Sequence, residues 1–305
     1  MMHLETIPCE YSGDLEFKKR PMIMEDDIPD KLKKIEQLSD AKTDRYRKKR
    51  KRSEDISTVD GVLDLKTAQT LAYFLDHGKI EEIHGVISTG KEAHVYYATA
   101  GSKIIEEFNI TELAVKIYRI STLSFKKIDK YIVGDPRFLS ARRGSTQRFM
   151  EQWAKKEYRN LKKCKEIGVA TPLATDIRRN VLLMEYIPGS DGQPAPLLKE
   201  AEDADFSAIG QTVLEYVQKM YREGNLIHAD LSEYNILLKE DKIPILIDFS
   251  QGVLEEHPMA DQFLINDIKN LHNFFSSKDV DMKPILELFE EITNRKPHPS
   301  LLIDL

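Results

Sequence analysis

Two cysteines in 305 residues, Cys9 and Cys164, are too few for a disulfide framework or an all-cysteine zinc site, and their scarcity suits a reducing compartment. Long apolar runs are also missing. Stretches such as Ile243 to Ile247 and Val181 to Met184 fall far short of the roughly 20 residues that cross a bilayer. The start, Met-Met-His-Leu-Glu-Thr, has no basic region followed by an apolar one, so the expectation is a chain that neither spans a membrane nor is secreted. Internal repeats and low-complexity tracts are absent from the pattern. What is present, 41% apolar and 8% aromatic residues, suffices for a sizeable core in one or two domains.

The net charge of −6 hides an uneven distribution. Residues 1–17 carry four acids and no Lys or Arg, residues 18–52 carry 14 basic and 7 acidic side chains, and the remainder carries 31 and 40. The basic surplus ends in Arg45-Tyr-Arg-Lys-Lys-Arg-Lys-Arg52 and lies in a leader with little periodicity, so residues 1–55 read as a flexible arm. Three readings of the cluster stand side by side: a solvated charge run, a contact for nucleic-acid phosphates, and a nuclear import signal.

From Leu63 onward the pattern is globular. Leu65, Ala68, Leu71, Ala72 and Leu75 follow helical spacing up to Gly78. Ile80 to Ile87, His94 to Thr99 and Glu112 to Tyr118 read as strands of an antiparallel sheet, with a Ser-Thr-Gly turn between the first two. A polar stretch, about residues 119–144, reads as a flexible loop. A helix follows from Thr146 to Ile167, then strands over Ala174 to Arg178 and Val181 to Ile187. Pro188-Gly189 is a natural hinge, which divides the chain into an N-terminal lobe over 56–187 and a C-terminal lobe over 188–305. The second lobe offers a helix near Phe206 to Gly224, short apolar strands at Leu226-Ile227, Ile236 to Leu238 and Ile245 to Ile247, and helices over Asp261 to Phe275 and Met282 to Ile292. Cys164, in a helical run, reads as a small buried hydrophobe.

Gly85-Val-Ile-Ser-Thr-Gly90-Lys91-Glu92 nearly matches a phosphate-binding Walker loop, but Glu92 replaces the hydroxyl that binds magnesium, and a strand follows instead of a helix. A turn between two strands is expected. Such a hairpin can still lie over phosphates, with Ser88, Thr89 and the Gly90 amide offering hydrogen bonds and Lys91 a charge; Ser-Thr-Gly is equally an ordinary turn.

A stronger pattern is Asp230, Asn235 and Asp248, spaced by 5 and 13 residues, with His228 two positions before the first. Protein kinases use His-x-Asp-x-x-x-x-Asn on a loop, then a strand delivering a metal-binding Asp before Phe. Asp230 suits the acceptor that aligns a hydroxyl or water, while Asn235 and Asp248 supply hard oxygen ligands for Mg2+. Lys116, mid-strand in Ala-Val-Lys-Ile, needs an anionic partner if buried, and Glu157 on the following helix is the candidate. Each residue alone has a plainer account: a snorkelling lysine, a solvated glutamate, a turn-capping aspartate. Their order along the chain favours the joint reading. His228 reads as a structural hydrogen-bonding residue, because Asp230 already holds the base position.

At Ser88-Thr-Gly-Lys-Glu-Ala93, His228-Ala-Asp-Leu-Ser-Glu-Tyr-Asn235 and Ile247-Asp-Phe-Ser-Gln251 the chain resembles the RIO family of atypical serine/threonine kinases. The first motif, with Pro194-Ala-Pro-Leu-Leu198, resembles the RIO kinase one subfamily, and the similarity covers about residues 56–278. The resemblance implies an α+β fold: a trimmed two-lobed protein-kinase-like architecture without the Ala-Pro-Glu segment or peptide-docking helices. It also implies that Lys116 binds ATP, that Glu185 and Ile187 present hinge backbone groups to adenine, and that Asp230 is the acid/base. By the same resemblance Asn235 and Asp248 bind Mg2+, and Asp248 accepts a phosphoryl group as an aspartyl-phosphate. The family acts mainly as an ATPase switch in late maturation of the small ribosomal subunit, with autophosphorylation on serine. This makes Ser121 and Ser124 candidate acceptors, the pre-small-subunit particle and its RNA candidate partners, and the cytoplasm, with possible nuclear shuttling, the expected location.

Two departures from ordinary protein kinases stand out. Ser88-Thr-Gly-Lys replaces a glycine-rich loop, and Asp-Phe-Ser replaces Asp-Phe-Gly, so a flipping activation segment is not expected. The end at Leu305 leaves little room for a C-terminal tail that engages ribosomal partners, a role the basic arm is placed to fill. Two other readings remain: a small-molecule phosphotransferase, and a nucleotide-gated assembly factor whose turnover is incidental.

Overall fold

The computed structural model describes residues 64–120, 129–138, 145–240 and 242–298. The basic arm, Cys9, Ser121 and Ser124 lie outside them. Helix α1 (Leu65–Asp76) starts where Asp64 accepts a hydrogen bond from the Thr67 amide at 2.8 Å, and it stops at His77 and Gly78, whose φ of +64° suits glycine. Strand β1 (Ile80–Thr89) runs two residues further than the periodicity suggested, and the turn into β2 (Ala93–Ala100) comprises Gly90 to Glu92. A strand does follow Glu92, as expected for a turn that is not a Walker loop.

Helix α2 (Ser102–Phe108) has no counterpart in the sequence reading. It spans two turns, lacks a side-chain cap and buries only Ile104, too little for a helical stripe to show. Strand β3 (Glu112–Tyr118) follows, then helix α3 (Thr146–Glu166), capped by Ser145, and strands β4 (Ala174–Arg178) and β5 (Val181–Glu185). The five strands form one antiparallel sheet in the order β1-β2-β3-β5-β4, so β3 is central.

Period-two alternation gives β3 two different faces. Leu113, Val115 and Ile117 join Leu71, Phe74 and Ile104 in a core under α1 and α2. Tyr118, with Leu182 of β5, joins the larger core that includes Phe149, Met150, Trp153 and Ala154 of α3. Lys116 therefore points toward α3, the helix that carries Glu157.

Helix α4 (Phe206–Arg222), strands β6 (Leu226–Ile227), β7 (Ile236–Lys239), β8 (Ile243–Leu246) and β9 (Val253–Leu254), and helices α5 (Ala260–Ser276) and α6 (Ile285–Thr293) build the second lobe. β7 pairs with β8, and β6 with β9. Ile247, read as the end of a strand, lies just past β8, where its amide donates to the Asn235 carbonyl at 3.0 Å.

The stretch read as a flexible loop differs most from expectation. Residues 129–138 form two short 3-10 turns, and Tyr131, Ile132, Asp135 and Phe138 are buried. Tyr131 stacks on Phe263 of α5 and meets Trp153 edge-on, while Phe138 contacts Phe149 and Trp153. Polar flanks hid this aromatic anchor in the sequence. Trp153, with no exposed surface, ties the segment to α3, and replacing it with alanine costs roughly 3–5 kcal/mol. Cys164 is buried as expected, and burial pushes its thiol above the ordinary range. Among the described residues no helix is long and apolar enough to cross a membrane.

Candidate active site

Lys116 is the hinge of the electrostatics. Its ammonium, only 7% exposed, donates to Glu157 Oε1 at 2.8 Å and to Asp248 Oδ1 at 2.9 Å. Burial alone acts to lower the lysine pKa, but the two carboxylates outweigh it and hold the group protonated well beyond its usual range. Burial likewise acts to raise Asp248, yet the Lys116 charge and hydrogen bond, with a bond from the Ser250 hydroxyl, bring it down to about 2. One cation cannot serve two carboxylates equally. Glu157, more deeply placed and with no partner for Oε2 among the described residues, is pushed up to about 7 by burial and by the charge of Asp248, against the pull of Lys116.

The loop from His228 to Asn235 carries the second group. Asn235 Nδ2 donates to the Asp230 carbonyl at 2.7 Å and approaches Asp230 Oδ2 at 3.4 Å. Asp230 opens to solvent, but the surrounding protein and the charge of Asp248 raise its carboxyl to about 6, with the Asn235 bond opposing. His228 is fully buried against Phe249 and donates from Nε2 to the Ile247 carbonyl at 3.0 Å. Burial lowers its pKa to about 4, so it is neutral and structural, in agreement with the sequence reading.

Two residues of this site hold left-handed backbone without being glycine: Ala229 at φ 66° and Asp248 at φ 62°. Such conformations cost of order 1–3 kcal/mol and persist only where the surroundings over-determine them. Asp267 of α5 supplies the restraint at Ala229. Buried to 2% exposure, it accepts from the Ala229 and Leu231 amides, each at 2.8 Å. Burial raises its pKa to about 8 despite those two bonds.

Helix α3 restrains the other strained stretch. Lys156 donates to the Gln251 carbonyl at 3.2 Å, and Asn160 donates to the Phe249 carbonyl at 2.9 Å. Arg137, itself held by Asp135, donates to Asn160 Oδ1 at 2.9 Å and to the Gly252 carbonyl at 3.2 Å. A Cβ at Gly252 would lie 2.8 Å from Asn160 Nδ2, so this close approach needs glycine. Residues 248–252 are thus tied down, in keeping with the absence of an expected flipping segment.

Of the residues singled out from the sequence, Lys116, Glu157, Asp230, Asn235 and Asp248 fall in one place. Ser88 is the penultimate residue of β1, just before the turn that carries Lys91, and both are exposed. It is Glu92 of that turn that the electrostatics link to the site: burial raises its pKa, the charge of Asp248 raises it further, and Lys116 opposes both. Glu185 donates its amide to Leu173 and accepts from the Leu173 amide through Oε2, while the Ile187 carbonyl accepts from Ala195 at 3.0 Å. Glu92, Lys156, Asn160 and Asp267 were not recognised as part of the site. Only Glu92 left a local trace, by its place in the Ser-Thr-Gly-Lys-Glu-Ala motif.

The donor set fits a hard divalent cation shared with a nucleotide. Lys116 and Ser250 both donate to Asp248 Oδ1, which leaves Oδ2 for a ligand, and the amide bond from Asn235 Nδ2 leaves its Oδ1 as an acceptor. Among the described residues no three His, Cys, Asp or Glu side chains form a protein-only cage. Magnesium is usually held by one or two carboxylates and completed by phosphate oxygens and water, so this sparse set matches its habit.

Comparison with known proteins decides the family. The RIO1 RIO domain matches residues 94–287. The chain belongs to the RIO family. It is 41% identical over 252 residues to the RIO-type serine/threonine-protein kinase Rio1 of Methanocaldococcus jannaschii, a match covering 83% of this chain and 82% of that protein. It is 39% identical over 265 residues to the human serine/threonine-protein kinase RIO1, covering 86% of this chain but 45% of the relative. The crystal structure of the Rio2 kinase from Chaetomium thermophilum as an ADP/Mg2+-phosphoaspartate complex shares the fold, with a TM-score of 0.58 at 20% identity over 74% of this chain and 65% of that one. The two-lobed kinase-like fold expected from the motifs is therefore present, and this RIO protein is a phosphotransferase of the serine/threonine kinase class.

Proposed function

We propose that this RIO kinase binds ATP with Mg2+, hydrolyses it, phosphorylates itself on serine, and uses that cycle as a switch on precursors of the small ribosomal subunit. The observation that carries the catalytic part is the Lys116 ammonium between Glu157 and Asp248, with Asp230 and Asn235 on the adjoining loop. In this reading Lys116 engages the α- and β-phosphates, and the backbone of Glu185 and Ile187 meets adenine. Ser88 and Lys91 contact phosphates from the β1–β2 turn. Asn235 and Asp248 hold the cation, which when bound neutralises charge shared by the β- and γ-phosphates.

Asp230 aligns the attacking hydroxyl or water and takes its proton. A carboxyl raised to about 6 is ionised at neutral pH yet more basic than an ordinary aspartate, which suits a general base. Asp248 Oδ2 is the oxygen placed to accept a phosphoryl group, because Oδ1 is committed to Lys116 and Ser250. In that step the Oδ2–P bond forms as the bond to ADP breaks, and water later cleaves the acyl phosphate to release phosphate. The ribosomal role rests on the family resemblance and on the basic run of residues 18–52, suited to RNA phosphates. A cytoplasmic location accords with the two cysteines.

The deciding experiment measures ATP turnover and ATP affinity for the wild type and Asp230→Ala. Turnover is expected to vanish in the variant while affinity holds, since the side chain acts on the transition state. Unchanged turnover overturns the role. Sedimentation of tagged wild type and Asp248→Ala from cell extract tests the ribosomal part: both are expected with small-subunit precursors, the variant trapped there, and free migration of both contradicts it.

A further inference from the structure

Gln251 ends the Ile247-Asp-Phe-Ser-Gln251 motif that supplies Asp248, and it too reaches the site. Its Nε2 donates to Asp230 Oδ2 at 3.1 Å. Its carbonyl is held by Lys156 Nζ at 3.2 Å, so its backbone is fixed from α3, the helix that also delivers Glu157 to Lys116. Its own Oε1 is buried with no hydrogen-bond partner among the described residues. Folding stability disfavours that arrangement, because a buried acceptor left unpaired loses its hydration without replacement. The amide is turned so that its donor meets Asp230, at the expense of its acceptor.

Lys156 carries the same message. It is buried to 1% exposure between the Trp153 and Phe138 rings, with Nζ 4.4 Å and 5.8 Å from their centroids. Consecutive helical residues point about 100° apart. Glu157 therefore reaches Lys116 while Lys156 reaches Gln251, and α3 braces both sides of residues 248–251. Asp230, open to solvent and bonded within its own loop only to Asn235, otherwise has freedom to rotate.

From this we infer that Gln251 is a positioning residue for phosphoryl transfer: it locks the Asp230 carboxylate in the orientation that receives the nucleophile's proton. The inference rests on the proposed role of Asp230. A base displaced by an ångström loses much of its rate advantage while nucleotide binding, made elsewhere, is spared.

The test compares turnover, KM for ATP and calorimetric ATP affinity in Gln251→Met and Gln251→Ala, with thermal unfolding of both as a check on folding. Methionine matches the length and volume of glutamine but donates no hydrogen bond. Both variants are expected to lose at least roughly tenfold in kcat with KM and affinity within about twofold of wild type. Gln251→Met turning over like the wild type overturns the inference, because packing alone then explains the residue. So does a loss of affinity parallel to the loss of kcat. Should Gln251→Met unfold, the Ala variant decides by the same split. Asp230→Ala run alongside separates the two claims: if it turns over normally the base assignment fails, whereas an inactive Asp230→Ala beside normal Gln251 variants removes only the role of Gln251.

Discussion

The central sheet and the Asp230 and Asp248 loops place their site residues by opposite means. Lys116 is aimed by register: it faces Val95 on one side and Leu182 on the other, in a strand buried along nearly its whole length. Asp230 and Asp248 are aimed by side chains from distant helices, against backbone that leans the wrong way, with Asp267, Lys156 and Asn160 holding strained or irregular segments. Where regular structure does the aiming, many weak bonds share the work. Where loops do it, a few named bonds carry it, and single substitutions should disconnect function from fold.

The largest expected effect breaks the link between the two regions. Lys116→Met leaves the Glu157 carboxylate, 1% exposed, without its cation, and removing one partner of such a buried pair costs about 3–5 kcal/mol. ATP affinity falls with it. Chemical unfolding and calorimetry check both, and a variant with wild-type affinity contradicts the assignment of Lys116.

Next, Asp267→Ala strips the acceptor from two buried amides, each worth roughly 1–3 kcal/mol when orphaned. Turnover is expected to collapse at temperatures where the variant is still folded. Ile117→Val in the sheet core makes the smallest change, about 0.5–1.5 kcal/mol of stability with turnover intact. If the two variants lose turnover alike, the contrast between register and bracing is wrong.

Between these lies a pH effect at His228. Its folded value of about 4 lies below the ordinary 6.5, so the unfolded chain binds the extra proton first. The stabilisation from the neutral, buried ring is complete above about 6.5 and is lost as pH falls toward 4. His228→Gln, whose Nε2 can take the place of the ring Nε2 that donates to the Ile247 carbonyl, should show a flatter dependence of the unfolding midpoint on pH in that window. An unchanged slope assigns the acid sensitivity elsewhere.

The sheet was legible because its signal is local. Alternation in Glu112 to Tyr118 announced a strand, and a lysine among apolar neighbours announced the need for Glu157, which the structure supplies at 2.8 Å. The loop residues were legible only as spaced motifs. Asp267 gave no sign, since a carboxylate inside an amphipathic helix reads as solvated until α5 is packed against the Asp230 loop. Residues 129–138 misled for the converse reason: Tyr131 and Phe138 are single aromatics in a polar stretch, and only the presence of Trp153 and Phe263 turns them into anchors. Helix α2 was too short to show a stripe.

The central claim is that Asp248 and Asn235, gathered beside Lys116, make nucleotide binding depend on magnesium. Calorimetric titration of a non-hydrolysable ATP analogue, with and without Mg2+, into the wild type and Asp248→Ala tests it directly. The account predicts that Mg2+ tightens binding at least roughly tenfold in the wild type, about 1.4 kcal/mol, and that this gain disappears in the variant. Equal binding by both proteins, insensitive to the cation, would contradict it.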